Sequence, residues 1–212
     1  MNILVLGATG RTGRLTVEAA IARGHHISAI VRDKSKINLP GVNCFEGSPT
    51  DEALIGKVIQ GMDAVVVALS INRKSDSPFA KIISPLTIIS DSVKALVSIM
   101  EKNNVKRVVS ISASGVGDSW KDLPFVAKIF VGMTNIKLAY KDHDRHEQML
   151  RNSKLDWTIV RPVMLNDKET DNYRVTSGKP ESSGISRKAV AKFIIDSIES
   201  GDHVKQCLTI YT

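Results

Sequence analysis

Apolar residues in this chain fall into two patterns. Some form short continuous runs, and others recur at three- and four-residue spacing in longer polar-faced stretches. The runs read as strands buried on both faces, the spaced sets as amphipathic helices. Ile3, Leu4, Val5 and Leu6 form the first run, followed by helix-compatible sequence from Thr12 to about Arg23. His26 to Val31 and Val42 to Glu46 read as the next two strands. Thr50 or Asp51 can cap a helix to about Gln60, which Gly61 would end. Asp63 to Leu69 is again continuously apolar, and Ser70 to Ser77 makes a polar loop at its carboxyl end.

The spacing then predicts a long helix from about Ile82 to Asn103, with Pro85 tolerable only near its start. Val105 to Ser112 is the fifth strand, Ser114 to Pro124 a loop, Phe125 to Gly132 a short helix and Asn135 to Ser153 a longer one. Trp157 to Arg161 is the sixth strand, stopped by Pro162. Asn166 to Gly184 is polar and irregular, apart from a short strand at Tyr173 to Thr176. Ser186 can cap a last helix with Val190, Phe193, Ile194 and Ile198 on one face, and Gln206 to Tyr211 closes the chain as a strand. Alternating strands and helices predict an α/β protein with a doubly wound, mostly parallel sheet and helices on both faces. Without internal repeat or linker, the 212 residues read as one domain, 1–212.

Composition changes this picture little: 42% hydrophobic and 24% charged residues are ordinary for a soluble protein. No apolar run approaches the roughly 20 residues of a membrane span, and Met1 leads straight into a strand rather than a signal peptide. Cys44 and Cys207 lie far apart without metal-type spacing, as in a reducing compartment. A cytoplasmic protein with no membrane partner is expected. The net charge of +7 includes Arg11, Arg14, Arg23, Arg32, Lys34 and Lys36, against only Glu18 and Asp33 in the same stretch. Such an excess suits a polyanionic nucleotide. No basic helix with interleaved aromatic residues occurs, so no nucleic-acid partner is expected.

The chemistry centres on Gly7, Gly10 and Gly13, between the first strand and the first helix. The first glycine permits the tight turn, the second lets a pyrophosphate approach the backbone, and the third lets the helix pack close. The helix N-terminus then faces the same anion. In such a sheet ligands lie beyond the carboxyl ends of the strands, which directs attention to Arg32, Leu69 to Asn72, Ser110 to Gly115 and Pro162 to Asn166. An arginine ending the second strand pairs with a ribose 2′-phosphate and a carboxylate with a 2′-hydroxyl; here Arg32 precedes Asp33, which favours NADPH while leaving NADH possible. A hydroxyl at Ser112 is placed to hydrogen-bond a nicotinamide carboxamide or a substrate carbonyl, with strand-end turn chemistry as the alternative.

Asp142, His143, His146 and Glu147 gather on one helix, and His143 is either a catalytic group or a partly buried helix residue. No third ligand group completes a metal site there, so no metal is expected. Tyr140 invites a Tyr-x-x-x-Lys reading, but Asp144 stands in the lysine's place and would raise a phenol's pKa. No Gly-x-Ser-x-Gly elbow supports a hydrolase.

Gly7-Ala-Thr-Gly-Arg-Thr-Gly13, Val31-Arg32-Asp33, Asp142-His143 and Thr158-Ile-Val-Arg-Pro162 together resemble the NmrA-like atypical short-chain dehydrogenases/reductases. Within that group the chain is most similar to the NADPH-dependent flavin reductase/biliverdin-IXβ reductase family, nearly end to end. The resemblance implies a Rossmann fold and hydride transfer from NADPH to a flavin, quinone or tetrapyrrole acceptor, by a monomer or homodimer. NADPH would be held by Gly7, Thr9, Gly10, Arg11, Thr12, Gly13 and Arg32, with Ser48 and Leu69 beside it. Ser112 and Ala113, then Pro162, Val163 and Met164, would line the nicotinamide. Residues from about 160 onward would wall the acceptor, and Trp120, Phe125 and the 166–184 segment are candidates for its wall or lid, with plain packing or a surface loop as the alternative. The family places a serine where Ala113 stands, a histidine where Met164 stands and an aspartate where Ser48 stands. NmrA-like proteins also include dinucleotide-binding redox sensors without turnover, an alternative that the missing Tyr/Lys pair and histidine allow. A sugar-nucleotide epimerase, which needs that pair, is the weakest reading.

Overall fold

The computed structural model describes residues 1–37 and 39–212. Its first half comprises β1 (Asn2–Leu6), α1 (Arg11–Ala22), β2 (His26–Val31), β3 (Val42–Glu46), α2 (Glu52–Val58), β4 (Ala64–Val67) and α3 (Ile88–Lys102). The second comprises β5 (Arg107–Ile111), α4 (Phe125–Met133), α5 (Ile136–Arg151), β6 (Asp156–Pro162), β7 (Met164–Asn166), β8 (Arg174–Thr176), β9 (Gly184–Ser186), α6 (Arg187–Ser200) and β10 (Gln206–Tyr211). Single 3-10 turns occupy Lys34–Lys36 and Gly117–Asp122.

The main sheet has the order β3-β2-β1-β4-β5-β6-β10-β8, parallel throughout except where β8 pairs antiparallel with β10. Strand order reverses between β1 and β4, paired Ile3 to Ala64 through Leu6 to Val67, which opens a crevice at their carboxyl ends. This is the doubly wound sheet that the alternation of elements predicts.

Period-two alternation splits the core into two layers. Ile3 and Val5 of β1 join Val17, Ala20, Phe193 and Ile194 of α1 and α6 on one face. Leu4 and Leu6 face Ile55, Val93, Leu96 and Leu150 of α2, α3 and α5 on the other. A parallel strand covered on both sides has no polar face to spare, so β4 reads Ala-Val-Val-Val and is wholly buried.

Three departures from the sequence pattern bear on the site. The expected helix from Ile82 begins only at Ile88. Pro85 biases Ser84 away from helical geometry. The preceding residues instead run back along the loop: Ile82 bridges Arg73, Ile83 N–H donates to Asn72 at 2.9 Å, and Asn72 N–H to Ser84 Oγ at 2.9 Å. Pro162 ends β6 rather than lying beyond it, opposite Ile210 of β10, whose carbonyl is taken by Val163 N–H. Finally, the polar stretch from Asn166 to Gly184 is bracketed by two strands that the sequence pattern does not predict, β7 and β9, which pair as a separate two-stranded parallel sheet. The short strand expected at Tyr173 to Thr176 does form, as β8, whereas β7 and β9 carry no alternation long enough to mark them.

Candidate active site

The turn from β1 into α1 is shaped by what glycine lacks. Gly7 has φ +92°, and a Cβ there would run into the Ala68 carbonyl of β4's continuation. A Cβ on Gly13 would meet the Gly7 carbonyl, so this glycine sets how closely α1 approaches the strand. Gly10 closes the turn with N–H to Gly7 O at 3.0 Å and is the N-cap of α1, exposed, in extended geometry and without a side-chain cap. No acidic residue stands in α1's first turn. The first amides of a helix have no intrahelical partner, so this end presents donors and a positive dipole to the crevice. These features fit a dinucleotide pyrophosphate.

Thr9 and Arg11 are exposed at this turn and Thr12 is half-buried. Arg11 reaches across the crevice mouth to Asp76 at 3.0 Å and Asp167 at 3.8 Å, and Asp167 also accepts from Arg187 at 2.5 Å. At the end of β2 the two ionic groups part. Asp33 turns in to cap the following 3-10 turn, accepting from Ser35 N–H at 3.0 Å and Ser35 Oγ at 2.6 Å, and those bonds lower its pKa. Arg32 stays exposed, with no ion pair among the described residues. Ser48 is exposed after β3 and shares a 2.7 Å hydroxyl bond with Thr50; Leu69, half-buried after β4, packs against the core.

The far side of the crevice is made by the ends of β5 and β6, which stay paired beyond the strands through Ser112 N–H to Val160 O at 2.7 Å and Ser114 N–H to Pro162 O at 2.9 Å. Val109 and Ile111 face the α1/α6 layer, so Ser110 and Ser112 face α5. Ser110 Oγ bonds His146 Nε2 at 3.0 Å. One step nearer the carboxyl edge stand Ser112 and His143, both buried, with Ser112 Oγ and His143 Nδ1 lacking partners among the described residues. Burial pushes the His143 pKa down to about 4 and that of His146 well below its usual value. Both imidazoles are therefore neutral near pH 7. Ala113 and Val163 are half-buried, Pro162 is buried, and Met164 is 73% exposed at the start of β7.

Other residues of α5 hold this edge in place. Tyr140 is no counterpart of a catalytic tyrosine: its hydroxyl donates to Ser114 O at 2.8 Å, burial pushes its pKa up, and Asp144 is engaged by Gln148 at 2.9 Å. Trp120 packs edge-on to the Tyr140 ring at 6.4 Å, while Phe125 projects into solvent. Asp142 is fully buried and caps α3, accepting from Ile89 N–H at 2.9 Å, Ser90 N–H at 3.3 Å and Ser90 Oγ at 2.5 Å. Glu147 makes a two-point bond to Arg161 of β6, at 3.0 and 2.5 Å. Arg161 also reaches Asp118 at 2.7 Å and lowers its pKa, so the 3-10 turn carrying Trp120 is pinned to the sheet. Neither the cap nor this buried pair is visible from spacing on α5 alone. Among the described residues no group of three His, Cys, Asp or Glu side chains is disposed to hold a metal ion.

A family described as NAD(P)H-binding matches residues 7–201. The oxidoreductase stcQ of Emericella nidulans is 25% identical over 195 residues, spanning 81% of this chain and 68% of its own. The anaerobilin reductase ChuY of Escherichia coli O157:H7 superposes with a TM-score of 0.81 at 21% identity, over 99% of this chain and 96% of its own. A short-chain dehydrogenase/reductase of Veillonella parvula DSM 2008, solved in complex with NADP, gives 0.79 at 20% identity over 100% and 94%. These likenesses show a shared Rossmann fold. With the family match covering the glycine turn, the crevice and α6, the chain belongs to the NAD(P)H-binding family.

Proposed function

We propose that this protein reduces a flat conjugated acceptor (a flavin, quinone or tetrapyrrole) with NADPH. The dinucleotide supplies the hydride when bound, and the chain supplies its orientation. Gly7, Gly10, Gly13 and the α1 amides take the pyrophosphate. Arg32 takes the 2′-phosphate, because Asp33 is turned away on Ser35. Ser112 offers its hydroxyl to the nicotinamide carboxamide or to the acceptor carbonyl, with neutral His143 behind it.

The observation that carries the acceptor class is Met164, 73% exposed beyond Pro162 and Val163. A mobile, polarizable thioether suits a ring face, where a positioned acid or base would suit a small polar substrate. Solvent reaches this side and is the proton source. The name of the anaerobilin reductase with the same fold supports the tetrapyrrole member of the class.

Oxidation of NADPH and NADH by the purified protein, with FMN, a quinone and a tetrapyrrole as acceptors, tests the reading. Saturable turnover, faster with NADPH, is expected. Arg32→Ala should raise the NADPH dissociation constant about tenfold, near 1.4 kcal/mol, and leave that of NADH unchanged. Tight NADPH binding without turnover on any acceptor would instead make the protein a dinucleotide sensor.

A further inference from the structure

Helix α4 has the composition of a buried helix, Phe-Val-Ala-Lys-Ile-Phe-Val-Gly-Met, yet only Val131 among its nine residues is buried. Phe125, Val126, Ile129, Phe130 and Met133 are 45% to 77% exposed. With 3.6 residues per turn they fall within an arc of about 140°, and Val131 points the other way. Asn135, at the junction with α5, sews a second segment alongside. Its N–H donates to Pro78 O at 2.9 Å and its side-chain amide to Phe79 O and Ala80 O at 3.2 and 3.1 Å. On that segment Phe79 is 67% exposed, and Ile83 and Leu86 are exposed as well. Exposed apolar side chains gathered on one helix face and on the segment sewn to it mark an interaction site.

Its rim is basic. Residues 121–141 carry Lys121, Lys128, Lys137 and Lys141 against Asp122 alone, and residues 73–86 carry Arg73, Lys74 and Lys81 against Asp76. Both segments follow the carboxyl ends of strands, β4 and β5, so the face looks out from the edge of the sheet that carries the crevice.

We propose that α4 and the 78–86 segment dock the protein on an anionic lipid bilayer, with the apolar arc at the acyl boundary and the lysines among the phosphates. A short helix with an apolar face and a basic rim lies in such an interface without spanning it. No helix among the described residues is long and apolar enough to cross a membrane, and this mode needs none. A second copy of the chain fits less well, since a self-complementary contact sets the two lysine rims against each other. The inference is independent of the acceptor and of turnover.

Flotation with phosphatidylcholine vesicles, with and without phosphatidylglycerol, tests it. The protein should float with the anionic vesicles at least tenfold more than with the neutral ones, and be released by high salt. Ile129→Glu with Met133→Glu should abolish flotation while circular dichroism and NADPH binding stay as in the parent. Lys137→Gln with Lys141→Gln, which leaves the apolar arc intact, should weaken it several-fold. Absence of flotation, equal flotation with neutral vesicles, or unchanged flotation of the glutamate variant would overturn the proposal. A lipid-free dimer that the glutamate variant splits would also overturn it and assign the face to a second copy. Loss of NADPH binding in the parent protein would count against the cofactor reading and leave this one standing.

Discussion

Helices α1 and α3 meet the same electrostatic demand at their N-termini and answer it differently. Both follow a buried strand of the parallel sheet, and neither has a cap from its own N-cap side chain: Gly10 carries none and Thr87 makes no such bond. At α3 the protein supplies the anion itself, the fully buried Asp142 carboxylate of α5, on Ile89 N–H, Ser90 N–H and the Ser90 hydroxyl. At α1 no described residue is seen to supply one, and glycine keeps its own side chain out of the space in front. A helix end buried without partners is costly, whereas one left open in a crevice is a binding site. On the proposed function, the difference separates a structural anion from a ligand anion within one sheet.

The open end of α1 depends most heavily on Gly13. A side chain there meets the Gly7 carbonyl, so α1 has to move off β1. Gly13→Val should cost NADPH affinity by at least about 100-fold, near 2.7 kcal/mol, and lower the melting temperature as well. Titration of the folded variant with NADPH checks this; near-parent affinity would show that the close approach is dispensable.

Asp142→Ala is the matching lesion at α3. It leaves two buried amides and a hydroxyl without their acceptor, which should cost roughly 2–4 kcal/mol in denaturant unfolding. NADPH affinity of the folded fraction should stay within about twofold, since the lesion touches the other helix. A large loss of affinity at unchanged stability would reverse the roles assigned to the two ends.

These two ends also differ in how far they could be read from the chain. The α1 site is local: a strand, three glycines and a helix lie within a few turns of sequence, and backbone sterics alone dictate the glycines. Asp142 acts on residues 52 and 53 positions away, so on the sequence it is only one polar residue beside His143. Glu147 likewise shares a helix face with His143, yet its partner is Arg161 on β6. Arg32 and Asp33 sit side by side in the sequence, and only the turn onto Ser35 separates their roles. The start of α3 is legible in part: Pro85 argues against helix before it, whereas the apolar pair Ile82 and Ile83 fits helical periodicity although the backbone there serves the loop hairpin.

The residue after the cap provides a test by pH. Buried His143 has its pKa pushed down to about 4, below the 6.5 of an exposed imidazole. Above pH 6.5 both states are neutral. Between 6.5 and 4 the unfolded chain binds a proton that the folded one refuses, so stability falls as pH falls, by about 3 kcal/mol across the window. His143→Gln should flatten that slope in denaturant titrations at pH 7 and 5, leaving the contribution of His146. A slope unchanged by the substitution would mean that His143 takes up its proton in the folded protein.

A carboxylate at position 10 would give α1 the arrangement of α3. Gly10 sits at the N-cap with φ −76° and ψ 159°, a geometry open to any residue, and a Cβ there would lie 3.3 Å from the Gly7 carbonyl, a contact that small shifts relieve. Gly10→Asp would place a carboxylate where it can accept from the first-turn amides, as Asp142 does at α3. Aspartate exceeds glycine as a cap by only a few tenths of a kcal/mol, and the dipole adds up to about 1 kcal/mol. The expected gain in folding stability is therefore about 1 kcal/mol, the smallest effect predicted here. NADPH binding should nevertheless be lost, because the carboxylate occupies and repels the position of the pyrophosphate. Parallel denaturant and NADPH titrations read both quantities. A more stable protein that no longer binds would show that the open end of α1 is kept for the ligand at a cost to the fold. A variant that binds NADPH as the parent does would place the pyrophosphate elsewhere.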